Sequence, residues 1–187
     1  YAQSNNGFIR GTVYRDNRPI GSVEVILKDE NDTPPISAKI ELKNISTSEV
    51  IDLEYDSLTG NYASVVKFDS DYIMTVKGDG MAYSSHYFSK SDNTSGKVAT
   101  ADFDVKKIKL GEPYSINDIL FATNSSELTE STKNIIKDFS TYLKENLSFK
   151  ILIQGHTDNA GDPAKNMTLS TDRARGVYNL LIEYGIK

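Results

Sequence analysis

The sequence predicts an α+β protein of two domains: an antiparallel β-sandwich over residues 1–111, then a βαβα domain over residues 112–187. Three observations carry this reading. Up to about residue 110, apolar residues recur at every second position in short runs separated by turn residues, the pattern of half-buried strands. Beyond residue 114 the spacing changes to that of amphipathic helices. Between the two, Gly111 and Pro113 punctuate the change.

In the first domain Val23, Val25 and Leu27 alternate with Glu24 and Lys28, with Ile26 as a break in the pattern. Ala38, Ile40 and Leu42 alternate with Lys39, Glu41 and Lys43, and Ile51, Leu53 and Tyr55 alternate with Asp52 and Glu54. Residues 62–66, 72–76, 83–88 and 101–105 add β-branched and aromatic runs that suit a pleated surface. Turn residues cluster at 16–19, 31–35, 59–61, 77–80 and 91–93. Short strands at this spacing are those of a sandwich.

In the second domain residues 115–121 read as a strand. A helix over 129–146 follows, with Ile135, Ile136, Phe139, Tyr142 and Leu143 on one face and Thr129 as N-cap. Residues 149–154 form a compact apolar strand. A second helix spans 167–184, with Leu169, Val177, Leu180, Leu181 and Tyr184 inward and Gly185 as its stop. Strand–helix–strand–helix implies a parallel pair joined by a right-handed crossover.

Composition narrows the function classes. The chain has 187 residues and a net charge of -5. Neither half is basic, which argues against a nucleic-acid surface built on phosphate neutralisation. No apolar run approaches the roughly 20 residues of a membrane-spanning helix. Cysteine is absent, which removes disulfides, thiol nucleophiles and thiolate-bound zinc. The two histidines, His86 and His156, are far apart in sequence, so no metal site is expected. His156 has no Ser-His-Asp arrangement around it and reads as a loop-shaping residue. The acidic run 29–32 lacks the spacing and central glycine of a calcium loop and reads as a solvated turn.

In a βαβα arrangement ligands gather beyond the carboxyl ends of the parallel strands. Gly155-His156-Thr157-Asp158 leaves the second strand there, and the N-terminus of the next helix should face it with unpaired N–H groups. Arg173 lies four residues after Leu169 and four before Val177, on the inward side of that helix; Arg175 points elsewhere. An inward guanidinium needs a partner, and Asp158 is the nearest candidate. Two readings remain open on these residues: a structural ion pair tying loop to helix, or a clamp in which Arg173 takes a carboxylate and Asp158 an ammonium.

Residues 153–158, Ile-Gln-Gly-His-Thr-Asp, and residues 166–174, Asn-Met-Thr-Leu-Ser-Thr-Asp-Arg-Ala, together resemble the signature of the OmpA-like peptidoglycan-binding domain. Ile119-Leu120-Phe121, Ser126-Glu127-Leu128, Val177, Leu181 and Gly185-Ile186 also stand where that family places them, so the resemblance covers about 114–187. It implies noncovalent binding of the peptide stem of peptidoglycan through its diaminopimelate residue, without catalysis or cofactor. Asp158 and Arg173 would hold that residue, Asn166 would organise the loop or stand just behind the contact, and Thr157 would support the Asp. The family pattern runs on past Gly185-Ile186 with further strand structure and an arginine-bearing segment, whereas this sequence ends at Lys187, which implies a domain cut short or continued beyond.

The first half is similar, more loosely, to carboxypeptidase-regulatory-like and transthyretin-like sandwich modules. Gly11-Thr12-Val13, Arg18-Pro19-Ile20, Val23-Glu24-Val25 and the turn Thr59-Gly60-Asn61-Tyr62 carry that likeness. The pairing of the two modules is typical of exported envelope proteins of Gram-negative bacteria. It implies a periplasmic, outer-membrane-associated location, with peptidoglycan and an outer-membrane protein as partners. The alternative is a structural subunit of an outer-membrane secretion or gliding assembly that acts mainly through the sandwich.

Overall fold

The computed structural model describes residues 6–15, 18–19, 39–55, 61–67, 70–78, 80–92, 98–158 and 161–187. The chain divides into two compact units, Tyr1–Asn117 and Asp118–Lys187. The expected strand around 23–27, the turn at 31–35 and the acidic run 29–32 lie outside the described residues.

The first unit is built from β1 (Asn6–Arg15), β2 (Arg18–Pro19), β3 (Lys39–Asn44), β4 (Val50–Ile51), β5 (Glu54–Tyr55), β6 (Asn61–Lys67), β7 (Tyr72–Lys77), β8 (Ser84–Phe88), β9 (Val98–Thr100) and β10 (Phe103–Asp104). One sheet has the order β10-β1-β6-β5, with β2 and β9 also paired to β1; the other has the order β4-β3-β7-β8. The sandwich is therefore open, with two separate sheets over a shared core. β6 shows why alternation predicts a strand here: Tyr62, Ser64 and Val66 are buried while Asn61, Ala63, Val65 and Lys67 are exposed. In β7, which pairs with β3 and β8, every residue from Tyr72 to Val76 is buried, so both of its faces are covered. Leu42, Met74, Met81, Phe88, Phe103 and Val105 complete the core.

Two features differ from the expected antiparallel sandwich. β1 pairs in parallel with β9, through Phe8↔Val98 to Arg10↔Thr100, and with β10. A strand that crosses over from the opposite sheet is not tied to its neighbour by a hairpin, so nothing forces the antiparallel direction. The second feature is β1 itself, the hub of its sheet, which the alternation did not reveal: Gly7, Arg10 and Gly11 interrupt its apolar run.

Tyrosine hydroxyls fasten this unit's chain. Tyr72 Oη accepts from Lys67 N at 2.9 Å, closing the connection between β6 and β7. Tyr62 Oη donates to Ala101 O. Tyr114 Oη donates to Lys107 O at 2.8 Å and accepts from Lys109 N at 2.6 Å, which groups the residues after Gly111 with the sheets.

The second unit consists of α1 (Glu130–Glu145) and α2 (Pro163–Glu183), packed on one another, and the segments around them. In α1, Thr129 Oγ1 accepts from Thr132 N at 3.2 Å as the N-cap, and Ile135, Ile136, Phe139, Tyr142 and Leu143 are all buried. α2 begins at Pro163 rather than near Met167. Asp162 is its N-cap, accepting from Ala164 N at 2.8 Å, and Pro163 stands at the first helical position, where its missing N–H would in any case lack a helical partner. The far end closes at Gly185, with φ of 86°: Gly185 N donates to Ile182 O at 2.9 Å and Ile186 N to Leu181 O at 3.0 Å, satisfying the last carbonyls.

The two strands expected in this unit carry no ladder; among the described residues the 115–121 segment has only the bridge Phe121↔Leu128, and 149–154 has none. Leu120, Ile151 and Leu152 are exposed. A sheet of two parallel strands is marginal in water, and three or more with a buried face are needed to hold it. The helices are therefore the organised part of the unit.

Burial pushes the Tyr142 hydroxyl up from 10.0 to about 12. The protonated form is favoured in the folded state, so this contribution to stability is fully present below pH 10 and is lost as pH rises from there to about 12. Thermal melting of the chain across that alkaline range should show a fall in midpoint that Tyr142→Phe attenuates; identical alkaline profiles for parent and variant would contradict it.

Candidate functional site

The site is built on α2 and the two segments that lie against it. Arg173 is half-buried and sits well inside the helix, not in its opening turns, because the helix starts at Pro163. Its Nε donates to Ser125 O at 3.0 Å and its Nη2 to Ala122 O at 3.3 Å, while its Cζ lies 4.8 Å from the centre of the Phe121 ring. The partner of the inward guanidinium is thus a backbone turn and an aromatic face rather than Asp158. Two carbonyl acceptors and a cation–π contact stabilise a partly desolvated charge without neutralising it.

That turn is made locally. Ser125 N donates to Ala122 O at 3.0 Å, and Asn124 adopts φ of 55°, a left-handed conformation that asparagine tolerates better than most residues. Thr132 Oγ1 in α1 donates to Leu120 O at 3.0 Å just before the turn. Gly176, one helical turn beyond Arg173, faces this segment with room for a side chain: a Cβ there would make only ordinary contacts, with Leu128 Cδ1 at 3.7 Å and Ser126 O at 3.8 Å.

The loop from Gly155 to Asp158 lies against the same helix. A Cβ on Gly155 would fall 2.1 Å from Ser170 O and 3.3 Å from Ala174 N, which no side chain can occupy. Further along, Asn166 Nδ2 donates to Asp158 O at 3.3 Å. The Asp158 side chain is exposed, and no described residue pairs with its carboxylate. Thr157 is half-buried between His156 and Asp158, both exposed. Asn166 and Arg173 are seven residues apart and share a helix face, about 10 Å apart along the axis. Helical side chains lean toward the N-terminus, so Arg173 leans back toward the Asn166 turn.

The α2 N-terminus does not offer an open anion site. Asp162 already accepts from Ala164 N and Lys165 N, at 2.8 and 3.4 Å, so the helix dipole is met by a carboxylate of the chain itself. Arg175 faces solvent and pairs with Asp172 at 3.8 Å, an exposed pair of little energetic weight. An open hollow on α2 is lined by Ala164, Lys165, Thr168, Leu169 and Asp172, and includes neither Asp158 nor Arg173. No group of His, Asp or Glu among the described residues is placed to hold a metal ion.

The sequence places Asp158 in the loop that faces α2, Asn166 in the loop-to-helix motif and Arg173 on the inward side of the helix, but it does not name the turn that anchors Arg173. Its signal was available in Asn124-Ser125, a pair suited to a left-handed turn. Asp162-Pro163 was likewise readable as a cap followed by the first helical residue.

Residues 120–187 match the OmpA family, and the chain carries an OmpA family domain there. Outer membrane porin F of Pseudomonas aeruginosa is 34% identical over 71 residues, which cover 37% of this chain and 20% of that protein. The match thus spans about a fifth of the length of that curated relative. A crystal structure of a DUF3823 family protein from Parabacteroides merdae aligns with 56% of this chain and 48% of that one, at 10% identity and a TM-score of 0.37.

The turn that presents Ala122 O and Ser125 O depends on the left-handed Asn124. Asn124→Val should lower unfolding free energy by about 1–2 kcal/mol, and Asn124→Gly should change it by less than about 0.5 kcal/mol. Urea denaturation of both variants checks this; equal stabilities would mean that the turn relaxes to another conformation.

Proposed function

We propose that this chain is a noncovalent cell-wall anchor whose second unit grips the peptide stem of peptidoglycan at diaminopimelate, with no bond made or broken. The observation that carries the reading is the OmpA family domain at residues 120–187, with Asp158 and Arg173 at the positions that resemble the family's binding pair. Membership of that family points to the cell envelope. A periplasmic, outer-membrane-associated location follows from the same reading.

The chemistry is that of two complementary charges. A free diaminopimelate end carries an ammonium and a carboxylate. The Asp158 carboxylate stands in solvent, uncommitted to any described residue, and suits the ammonium. Arg173 has five N–H donors. Nε and one hydrogen of Nη2 are used on Ser125 and Ala122, which fixes the guanidinium plane and leaves the outer edge for a carboxylate. Such pre-orientation lowers the entropy lost on binding. Thr157 supports the acidic loop, and Asn166 ties its backbone to α2.

Pelleting with purified sacculi of the diaminopimelate type tests the reading. Each charge-assisted contact is worth about 1.5–3 kcal/mol, so Asp158→Asn and Arg173→Ala should each weaken sedimentation roughly ten- to a hundredfold. Asp158→Asn should leave the melting temperature unchanged, because the side chain is exposed. Arg173→Lys should not restore binding, since a single ammonium cannot hold two carbonyls and a ligand carboxylate in one plane. If both variants sediment like the parent, the wall site is not the working surface, and capture of an outer-membrane protein by the sandwich becomes the assignment to pursue.

A further inference from the structure

Gly155 and Asn166 mark the two ends of one close contact between the acidic loop and α2. At Gly155 the loop backbone touches the helix backbone: a Cβ would overlap Ser170 O at 2.1 Å and crowd Ser170 C at 3.0 Å and Ala174 N at 3.3 Å. These neighbours are backbone atoms inside a helix and cannot step aside as a side-chain end could. Three residues on, the carbonyl of Asp158 is held by Asn166 Nδ2 at 3.3 Å. The lengths agree. Three extended residues span about 10 Å. The helix from the centre of the Ser170–Ala174 contact back to Asn166 rises about 9 Å. The loop therefore lies lengthwise on α2 and runs toward its N-terminus, with Arg173 beside one end and Asp158 at the other.

We infer that Gly155, with Asn166, is a positioning residue: by letting the loop rest directly on the α2 backbone, it sets the separation between the Asp158 carboxylate and the Arg173 guanidinium, and so the separation of opposite charges that a ligand must match. This rests on the proposed grip on a zwitterionic residue. Neither glycine nor its contact supplies a group to the ligand; the effect passes through Asp158. Arg173 has contacts of its own, with Ala122, Ser125 and Phe121, none of which belongs to the loop. A displaced loop should therefore remove recognition of the ammonium while recognition of the carboxylate survives.

The test uses the full chain and two soluble stem peptides ending in diaminopimelate, one with its free ammonium intact and one with that amine acetylated. In the parent, calorimetry should show the intact peptide binding at least about tenfold more tightly. In Gly155→Ala the two peptides should bind within about twofold of each other, at the level of the acetylated peptide in the parent. Gly176→Ala, whose Cβ meets only ordinary contacts from 3.7 Å outward, should keep the parent's preference. Should Gly155→Ala melt below the assay temperature, Asn166→Ala carries the same test, because it frees the Asp158 end of the loop without overlapping any backbone. A preference retained in the folded variant, whatever the overall affinity, overturns the inference. A parent that does not distinguish the peptides overturns the zwitterion grip itself, which is a different failure.

Discussion

The guanidinium of Arg173 joins α2 to the segment that leads into α1. Two of its N–H groups end on the carbonyls of Ala122 and Ser125, and its face lies on Phe121. The same segment is fixed from the other side by Thr132 Oγ1 on Leu120 O, and Thr129 caps the helix that follows. In the absence of a ladder between the extended segments, these side-chain-to-backbone bonds provide the cross-links a sheet would otherwise supply. A charge with backbone acceptors as partners is held in place yet keeps its charge, which an ion pair with Asp158 would have cancelled. The functional reading depends on that difference.

The proposed binding arrangement divides labour between two independently held pieces. The cation belongs to a rigid helix closed at both ends, by Asp162 and by the Gly185 turn. The anion belongs to a loop that rests on that helix at Gly155 and is tied to it at Asp158. Sites built on regular elements are more exact in geometry than sites on loops, and resting a loop on a helix backbone gives it part of the helix's rigidity.

Much of this was legible in the chain. Strand and helix periods identified β3, β6 and α1, because in each the apolar residues repeat on the more buried face, and the aromatic run 83–88 identified β8. β7 is apolar enough to read as a strand even though both faces are covered. The hub strand β1 escaped because its pairing is made by backbone on both sides, and glycines at positions 7 and 11 leave no alternation to see. The apolar period of α2 starts only near Met167, four residues after its true start, because Pro163 and the residues that follow it lie on an exposed opening turn; Asp162-Pro163 is the cap and first residue that a helix favours. At the site, residue identities and spacing were visible, but partners were not: whether an arginine meets a carboxylate or two carbonyls depends on where a turn 48 and 51 positions earlier arrives in space. Local periodicity carries no information on that.

The stretch Phe149-Lys150-Ile151-Leu152-Ile153 has one further consequence. It is rich in β-forming residues, it is not engaged in a ladder, and Ile151 and Leu152 face water. Segments of this kind seed intermolecular pairing when chains are concentrated. Lys150, exposed at the second position of the run, is the only charge within it, and a charge so placed disfavours such pairing. A side chain that takes no part in the core or the proposed binding site thus bears on the solubility of the chain, as distinct from its stability.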